Sequence, residues 1–302
     1  MKIIDAHAHL VQCIAGTCGG GEMRACGGGR GRCPDGSEFQ LIPPELGEES
    51  VTPEAVLRLM DEHEVEKAVL LQGNFLGFQN LYSYEAQCRY PERFLAAAAY
   101  DPFSRRRDAI REELFEKRGI RVVKFELSTG SGLMANHPLL PLDGEVMEQE
   151  YAYADGHGLI FVADIGKLGS ESSQIPALRR AILRHSGMKF VICHLLAPAR
   201  GMGRPLFDGL EALALPNVWF DLASLQHNLR PDAPPYHYTR AVILRAAREI
   251  GSDRLLFGSD LPSTLCNHRY ADLIECIAGC QELGEQGRQQ ILHDNAENVF
   301  FH

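Results

Sequence analysis

The chain has 302 residues, 45% hydrophobic and 23% charged, with a formal charge of −10. This is ordinary globular composition, which excludes a disordered chain, and the acidic balance argues against a broad nucleic-acid-binding surface. No apolar run approaches the roughly eighteen residues of a membrane-spanning helix, and the length suits either one α/β barrel or two medium domains.

In chain order, residues 2–4 form a short apolar run that leads into Asp5. A long connection follows over 11–50, rich in Gly and Pro. A helix is expected over 52–62, where Thr52 can cap and Pro53 suits the first turn. Further apolar runs lie at 67–71, 93–100, 120–127, 159–165, 189–193, 218–222 and 254–257. They are continuous rather than alternating, as expected of strands covered on both faces. Helical spacing appears at 104–118, 144–156, 174–185, 240–250, 270–280 and 284–295. The β-then-α rhythm predicts a (β/α)8 TIM barrel, with an open doubly wound sheet as the alternative. Residues 1–302 then form a single barrel domain, with 11–50 inserted as an active-site loop after the first strand.

The nine cysteines are the unusual feature of the composition. The opening MKIIDAHAHL lacks the apolar core and cleavage site of a secretory signal. Mostly free thiols in a cytoplasmic protein are therefore expected. Cys13, Cys18, Cys26 and Cys33 cluster in the first loop without the C-x2-C pairs of common zinc sites. They form either a flexible loop with free or partly paired thiols, or a second metal or iron–sulfur site. Cys193 is read as a small apolar packing residue.

The strongest chemical signal is His7-Ala8-His9 at the end of the first strand. Strand alternation turns both imidazoles to one face, where they can meet one metal ion. Asp260, in Phe257-Gly258-Ser259-Asp260, ends the last strand and can bind metal and accept a proton, or cap the following segment. His194, in Val191-Ile192-Cys193-His194, is a candidate ligand or general acid/base, or a residue bonded to backbone. Asp164 is a ligand or a turn residue before Gly166. All of these fall at predicted C-terminal strand ends, which a barrel gathers at one mouth. Lys124 and Glu126 share a face at the end of the fourth strand. Lys124 can pair with a carboxylate or anchor a substrate carboxylate. Arg200 and Arg204 can bind an anion through a planar fork or stand solvated at the surface. Gln226-His227 and Asn267-His268 lie near the expected mouth.

With these motifs in hand, the chain resembles the amidohydrolase superfamily, most closely the branch of aminocarboxymuconate semialdehyde decarboxylase and γ-resorcylate decarboxylase. DAHAHL at 5–10, KFVICHL at 189–195 and LLFGSDLP at 255–262 carry the resemblance. YPERFLAAAAYDP and ILHDNAENVF add support. The resemblance implies metal ligation by His7 and His9, a ligand and proton carrier in Asp260, and in His194 a residue that orients water or polarises substrate. Where the family usually has a histidine, this chain has Asp164, which makes the site harder and more negative. One divalent ion is expected, zinc first and manganese or another divalent ion next. The expected activity is hydrolysis of an ester, lactone or amide of a small carboxylated substrate, with Lys124, Glu126 and Arg200 as substrate contacts. Non-oxidative decarboxylation of an aromatic or unsaturated acid is the alternative, and a barrel that has lost its metal is a second. The expected partner is a small molecule, with neither nucleic acid nor membrane, and a homo-oligomer is compatible with the chain.

Overall fold

The computed structural model describes residues 1–302. β1 (Ile3–Ala8) is followed by five short strands within the insertion: β2 (Thr17–Cys18), β3 (Gly21–Glu22), β4 (Arg24–Ala25), β5 (Arg30–Arg32) and β6 (Glu38–Gln40). The barrel resumes with β7 (Val65–Leu70), β8 (Phe94–Ala98), β9 (Val122–Glu126), β10 (Ile160–Asp164), β11 (Phe190–Ile192), β12 (Val218–Asp221) and β13 (Leu255–Leu256). Eight of these pair in the order β1-β7-β8-β9-β10-β11-β12-β13. The seam between first and last closes through Ala6 N–H to Phe257 O at 2.9 Å, Asp260 N–H to His7 O at 2.8 Å and His9 N–H to Leu261 O at 2.9 Å. The result is the TIM barrel that the sequence rhythm predicts.

Two apolar sets hold it. Val69, Leu95, Val122, Val162, Val191, Trp219 and Leu256 fill the lumen, and Ala296, Val299 and Phe300 of the last helix pack against that set. A larger set, including Phe94, Phe125, Phe161, Phe190 and Phe220, joins the strands to the surrounding helices. Helix Pro53–Glu62 starts as expected, with the Thr52 hydroxyl accepting the Ala55 N–H at 3.2 Å. Helices Asn80–Arg89 and Arg204–Leu213 escape the sequence reading. The apolar face of the first is weak, as it buries only Ser83 and Ala86. The second is preceded by a Gly-rich segment that masks its start. The expected helix 104–118 divides into Arg107–Arg111 and a π-helical turn, Glu112–Lys117. No helix is long and apolar enough to cross a membrane.

The insertion is more ordered than a flexible loop. Val11 and Val51 exchange backbone bonds at 3.2 and 2.7 Å and pinch its base. Above this neck β2 pairs with β3, and β4, β5 and β6 form a second antiparallel sheet. Met23, Cys33, Leu41, Ile42 and Leu46 bury its inner side into the main apolar set.

Candidate active site

A cavity of about 510 Å³ opens at the C-terminal ends of the barrel strands. His7, His9, Lys124, Glu126, Asp164, His194 and Asp260 all line it, and Glu38, Phe39, Gln40 and Leu41 of the insertion contribute to its wall.

His7 enters the lumen through an irregularity. Ile4 and Ala6 belong to the inner apolar set and Ile3 to the outer one, so strict alternation would turn His7 outward. The register of β1 against β7 shifts between Asp5 and Ala8, and His7 turns inward there. Gly258 makes the room: a Cβ on it would lie 2.7 Å from the His7 Cβ. Asp5 secures the same stretch. It accepts the N–H groups of His7 at 3.1 Å and Ser259 at 2.9 Å, together with the Ser259 hydroxyl at 2.6 Å and the Tyr270 hydroxyl at 2.9 Å. Burial pushes the Asp5 carboxyl up to about 6, although these donors oppose it.

The two histidines are oriented through their Nδ1 atoms. His9 Nδ1 donates to Leu71 O at 2.9 Å, so its Nε2 lone pair points at Asp260 Oδ1, 3.0 Å away. His7 Nδ1 meets Asp221 Oδ2 at 2.9 Å, which leaves Nε2 facing Asp260 Oδ1 at 3.6 Å and accepting from Lys124 Nζ at 3.3 Å. Ligand atoms of His7, His9 and Asp260 all lie within 4.8 Å of one another. Two imidazole nitrogens and one carboxylate oxygen, each imidazole fixed by an outer acceptor, are a donor set that fits a divalent cation. His7, His194 and Asp221 also approach one another closely. That group is an orienting one, because Asp221 spends its oxygens on His7 Nδ1 and on the N–H groups of His194 at 2.8 Å and Ala223 at 3.1 Å.

The charges separate cleanly. Burial drives His7 down to about 4, and the Lys124 charge adds to this against the pull of Asp221. Burial also works against the charge on His194, but bonding to Asp164 and the nearby Asp260 and Asp221 outweigh it and raise His194 to about 10. His194 is therefore an imidazolium at neutral pH, with Nδ1 donating to Ala223 O at 3.0 Å and Nε2 3.6 Å from Asp164 Oδ2. Burial alone would raise Asp260; its contact with His9 and the positive charge of His194 hold it well below the usual carboxylate range. Burial disfavours the Lys124 ammonium, but the acidic groups around it, Asp164, Glu126 and Asp260 among them, prevail and keep it charged. Four successive residues from His194 to Ala197 have φ between 44° and 65°, left-handed backbone that L-residues adopt under constraint.

An amidohydrolase family model matches residues 4–301. The chain belongs to the amidohydrolase family. No curated protein sequence matches it. A zinc-bound amidohydrolase from Burkholderia multivorans superposes with TM-score 0.73 at 18% identity, covering 100% of this chain and 99% of that one. A probable 2-pyrone-4,6-dicarboxylic acid hydrolase from Acinetobacter baumannii, with citric acid bound, gives 0.70 at 17% identity and full coverage of both chains. The 2,6-dihydroxybenzoate decarboxylase from Rhizobium gives 0.53 at 16% identity, covering 82% of this chain and 87% of that one.

Within this amidohydrolase several expected residues take other places. Asp164, read as a metal ligand, stands apart from the His7, His9 and Asp260 group. Its Oδ1 accepts the Gly166 N–H at 2.8 Å and its Oδ2 faces His194. Glu126 lines the cavity, yet its oxygens are engaged: Oε2 accepts the N–H groups of Asn74 at 2.6 Å and Phe75 at 3.2 Å, and Oε1 the Ser131 hydroxyl at 2.5 Å. It holds the cavity wall rather than presenting a free carboxylate. Arg200 lies outside the cavity. Its guanidinium donates to Leu229 O at 3.3 Å and Pro231 O at 2.5 Å and stacks on Tyr238 at 4.1 Å. Arg204 pairs with Asp208 and Glu211 on the exposed face of its own helix. His227 and Asn267 reach the cavity, whereas His268 bonds to the Tyr236 hydroxyl at 2.9 Å. The sequence reading passes over Asp221 and Ser224. Asp221 ends an apolar run as Asp164 does, so the same strand-end signal marks it. Ser224, which donates to Asp260 Oδ2 and meets the Thr264 hydroxyl at 3.0 Å, carries no such signal.

Proposed function

We propose that this chain is a metal-dependent hydrolase acting on an ester, lactone or amide bond of a small carboxylated molecule. The convergence of His7, His9 and Asp260 beside the Lys124 ammonium carries the reading. His7, His9 and Asp260 would hold one divalent ion, zinc or a harder ion such as manganese. When bound, the ion supplies Lewis acidity, acidifying water and polarising a carbonyl.

The chain's own residues do the rest. Asp260 is ionised at neutral pH, so it can take the proton of the attacking water and later return it to the leaving group. Ser224 pins its second oxygen and keeps the first turned toward the histidines. The His194 imidazolium, anchored by Ala223 O, donates from Nε2 to the oxygen on which charge develops. Lys124 sits at the floor as the buried cation that a substrate carboxylate can reach, and Phe39, Phe75 and Leu76 give the cavity an apolar side for the rest of the molecule. Decarboxylation is the second reading. It is favoured by His194, a buried acid positioned to protonate carbon, and by the fold shared with the Rhizobium decarboxylase.

The test is product chemistry with two probes, 2-pyrone-4,6-dicarboxylate and 2,6-dihydroxybenzoate, plus elemental analysis of the purified protein. The hydrolase reading expects about one divalent ion per chain, gain of water by the pyrone without CO2 release, and loss of turnover by roughly 100-fold or more in Asp260→Asn. Release of CO2 without hydrolysis selects the decarboxylase. A protein free of divalent ion and inert to both probes, before and after zinc addition, refutes both readings.

A further inference from the structure

Four cysteines of the insertion have no part in the chemistry at the mouth, and folding brings two of them together. Cys18 Sγ and Cys33 Sγ lie 2.8 Å apart, fifteen positions apart in sequence. Cys18 ends β2 and is partly exposed, whereas Cys33 follows β5 and is only 2% exposed. Cys13 is exposed, and Cys26 Sγ contacts the Arg30 carbonyl at 3.5 Å.

The two thiols belong to different small sheets with different attachments. The β2–β3 hairpin is fastened to the barrel: Thr17 N–H donates to Asn74 O at 2.8 Å, and Gly16 lies so close to the same loop that a Cβ on it would fall 1.8 Å from Phe75 O. The β4–β6 sheet carries Glu38, Phe39 and Gln40 into the cavity wall. Exposed ion pairs from Arg30 and Arg32 to Glu38 link its strands and contribute little. The Cys18–Cys33 contact is thus a junction between a hairpin anchored to the barrel and the sheet that forms one wall of the cavity.

We propose that Cys18 and Cys33 form a reversible disulfide site, through which a small-molecule disulfide such as oxidised glutathione fastens the β4–β6 wall of the cavity. The Cys18 thiolate attacks one sulfur of the external disulfide, forming a mixed disulfide and releasing one small thiol. Cys33 then attacks the Cys18 sulfur and expels the second. Both cysteine sulfurs are oxidised, the external disulfide is reduced to two thiols, and the two cysteine protons pass to the leaving thiolates. The order follows from access: Cys33 is buried, and the bond shared with Cys18, then burial, raise its thiol, so the more exposed Cys18 attacks first. Closing this loop removes open conformations available to the reduced segment.

The experiment uses the full chain, equilibrated in buffers of reduced and oxidised glutathione, quenched by alkylation and mapped by mass spectrometry. In oxidising buffer two of the nine thiols should resist alkylation, and residues 18 and 33 should appear in one cross-linked species that dithiothreitol releases. Trypsin cleavage after the exposed Arg24, Arg30 and Arg32 should slow by roughly tenfold or more on oxidation, as local opening is suppressed. In a folded Cys18→Ser/Cys33→Ser double variant, cleavage should ignore the oxidant. Cross-links through Cys13 or Cys26 instead, or glutathione adducts that persist on Cys18 or Cys33, overturn the site. A Cys18–Cys33 bond with cleavage unchanged overturns its role in holding the wall.

Discussion

Asp221→Asn should weaken metal binding at the proposed His7, His9 and Asp260 site while leaving the fold largely intact. Asp221 Oδ1 accepts two backbone N–H groups, at 2.8 and 3.1 Å, and Oδ2 faces His7 Nδ1 at 2.9 Å. An Asn keeps its carbonyl oxygen on the backbone donors, which places its NH2 group against His7 Nδ1. Two donors cannot share that contact. His7 must then move its proton to Nε2, the atom that faces Asp260, and it offers no lone pair there. Loss of such an outer carboxylate typically weakens metal binding by roughly 10- to 100-fold, about 1.4 to 2.7 kcal/mol. The stability change is that of one charge-assisted bond, about 1.5 to 3 kcal/mol. With an unfolding entropy near 2.1 cal/mol/K per residue over 302 residues, that is a Tm drop of about 2 to 5 °C. Competition for zinc against a chromophoric chelator, with a thermal melt of the same sample, reads both quantities. Asp221→Ala removes the acceptor for both backbone donors and should melt lower still. Zinc affinity within twofold of wild type in a folded Asp221→Asn protein would refute the tautomer argument and, with it, His7 as a ligand.

Three further outcomes are expected. Glu126→Ala leaves the Asn74 and Phe75 N–H groups without their acceptor. It should destabilise by about 2 to 4 kcal/mol and raise KM more than it lowers kcat, because the wall loosens while Asp260 is untouched; a fall in kcat alone would contradict that role. Glu150→Gln removes the buried carboxylate 2.5 Å from Arg111 and leaves that buried guanidinium with only the exposed Asp108, 3.1 Å away, as a charged partner. Calorimetry should show a loss of about 3 to 5 kcal/mol, and a shift below about 1 kcal/mol would show that the site relaxes into water. Asp5, held at about 6 by burial, binds a proton that the unfolded chain releases near 3.9. Its stability contribution is therefore complete below about pH 4 and is lost as pH rises through 6, about 3 kcal/mol in all. Urea melts from pH 4 to 7 should show wild type losing that much relative to Asp5→Asn, and parallel curves would remove Asp5 as the cause.

Residues 5–9, 194 and 260 were readable because strand ends carry chemistry in a barrel, and apolar runs locate strand ends. Asp221 obeyed the same rule and was legible in principle. Lys124 was readable as a strand-end cation that could anchor a carboxylate but not as a donor to His7, a contact across 117 positions in the chain. Asp164 and Glu126 show the opposite limit. Their side chains reach the cavity as expected, yet a carboxylate is a ligand or a tether according to which donors surround it. Arg200 failed for the same reason, since a guanidinium near a mouth binds whatever acceptors lie closest, and here those are backbone carbonyls.

By itself the sequence determined the acidic, globular character of the chain, its eight-strand rhythm and the residue types available at the strand ends. These are local properties: hydrophobic period, turn residues and spacing along one segment. Only the tertiary structure decided which of those residues face one another. The register shift that turns His7 inward, the Asp221 bond that fixes its tautomer and the meeting of Cys18 with Cys33 all depend on packing between segments far apart in the chain. A single segment's pattern carries no record of its neighbour's register, so those pairings become visible only once the barrel is closed.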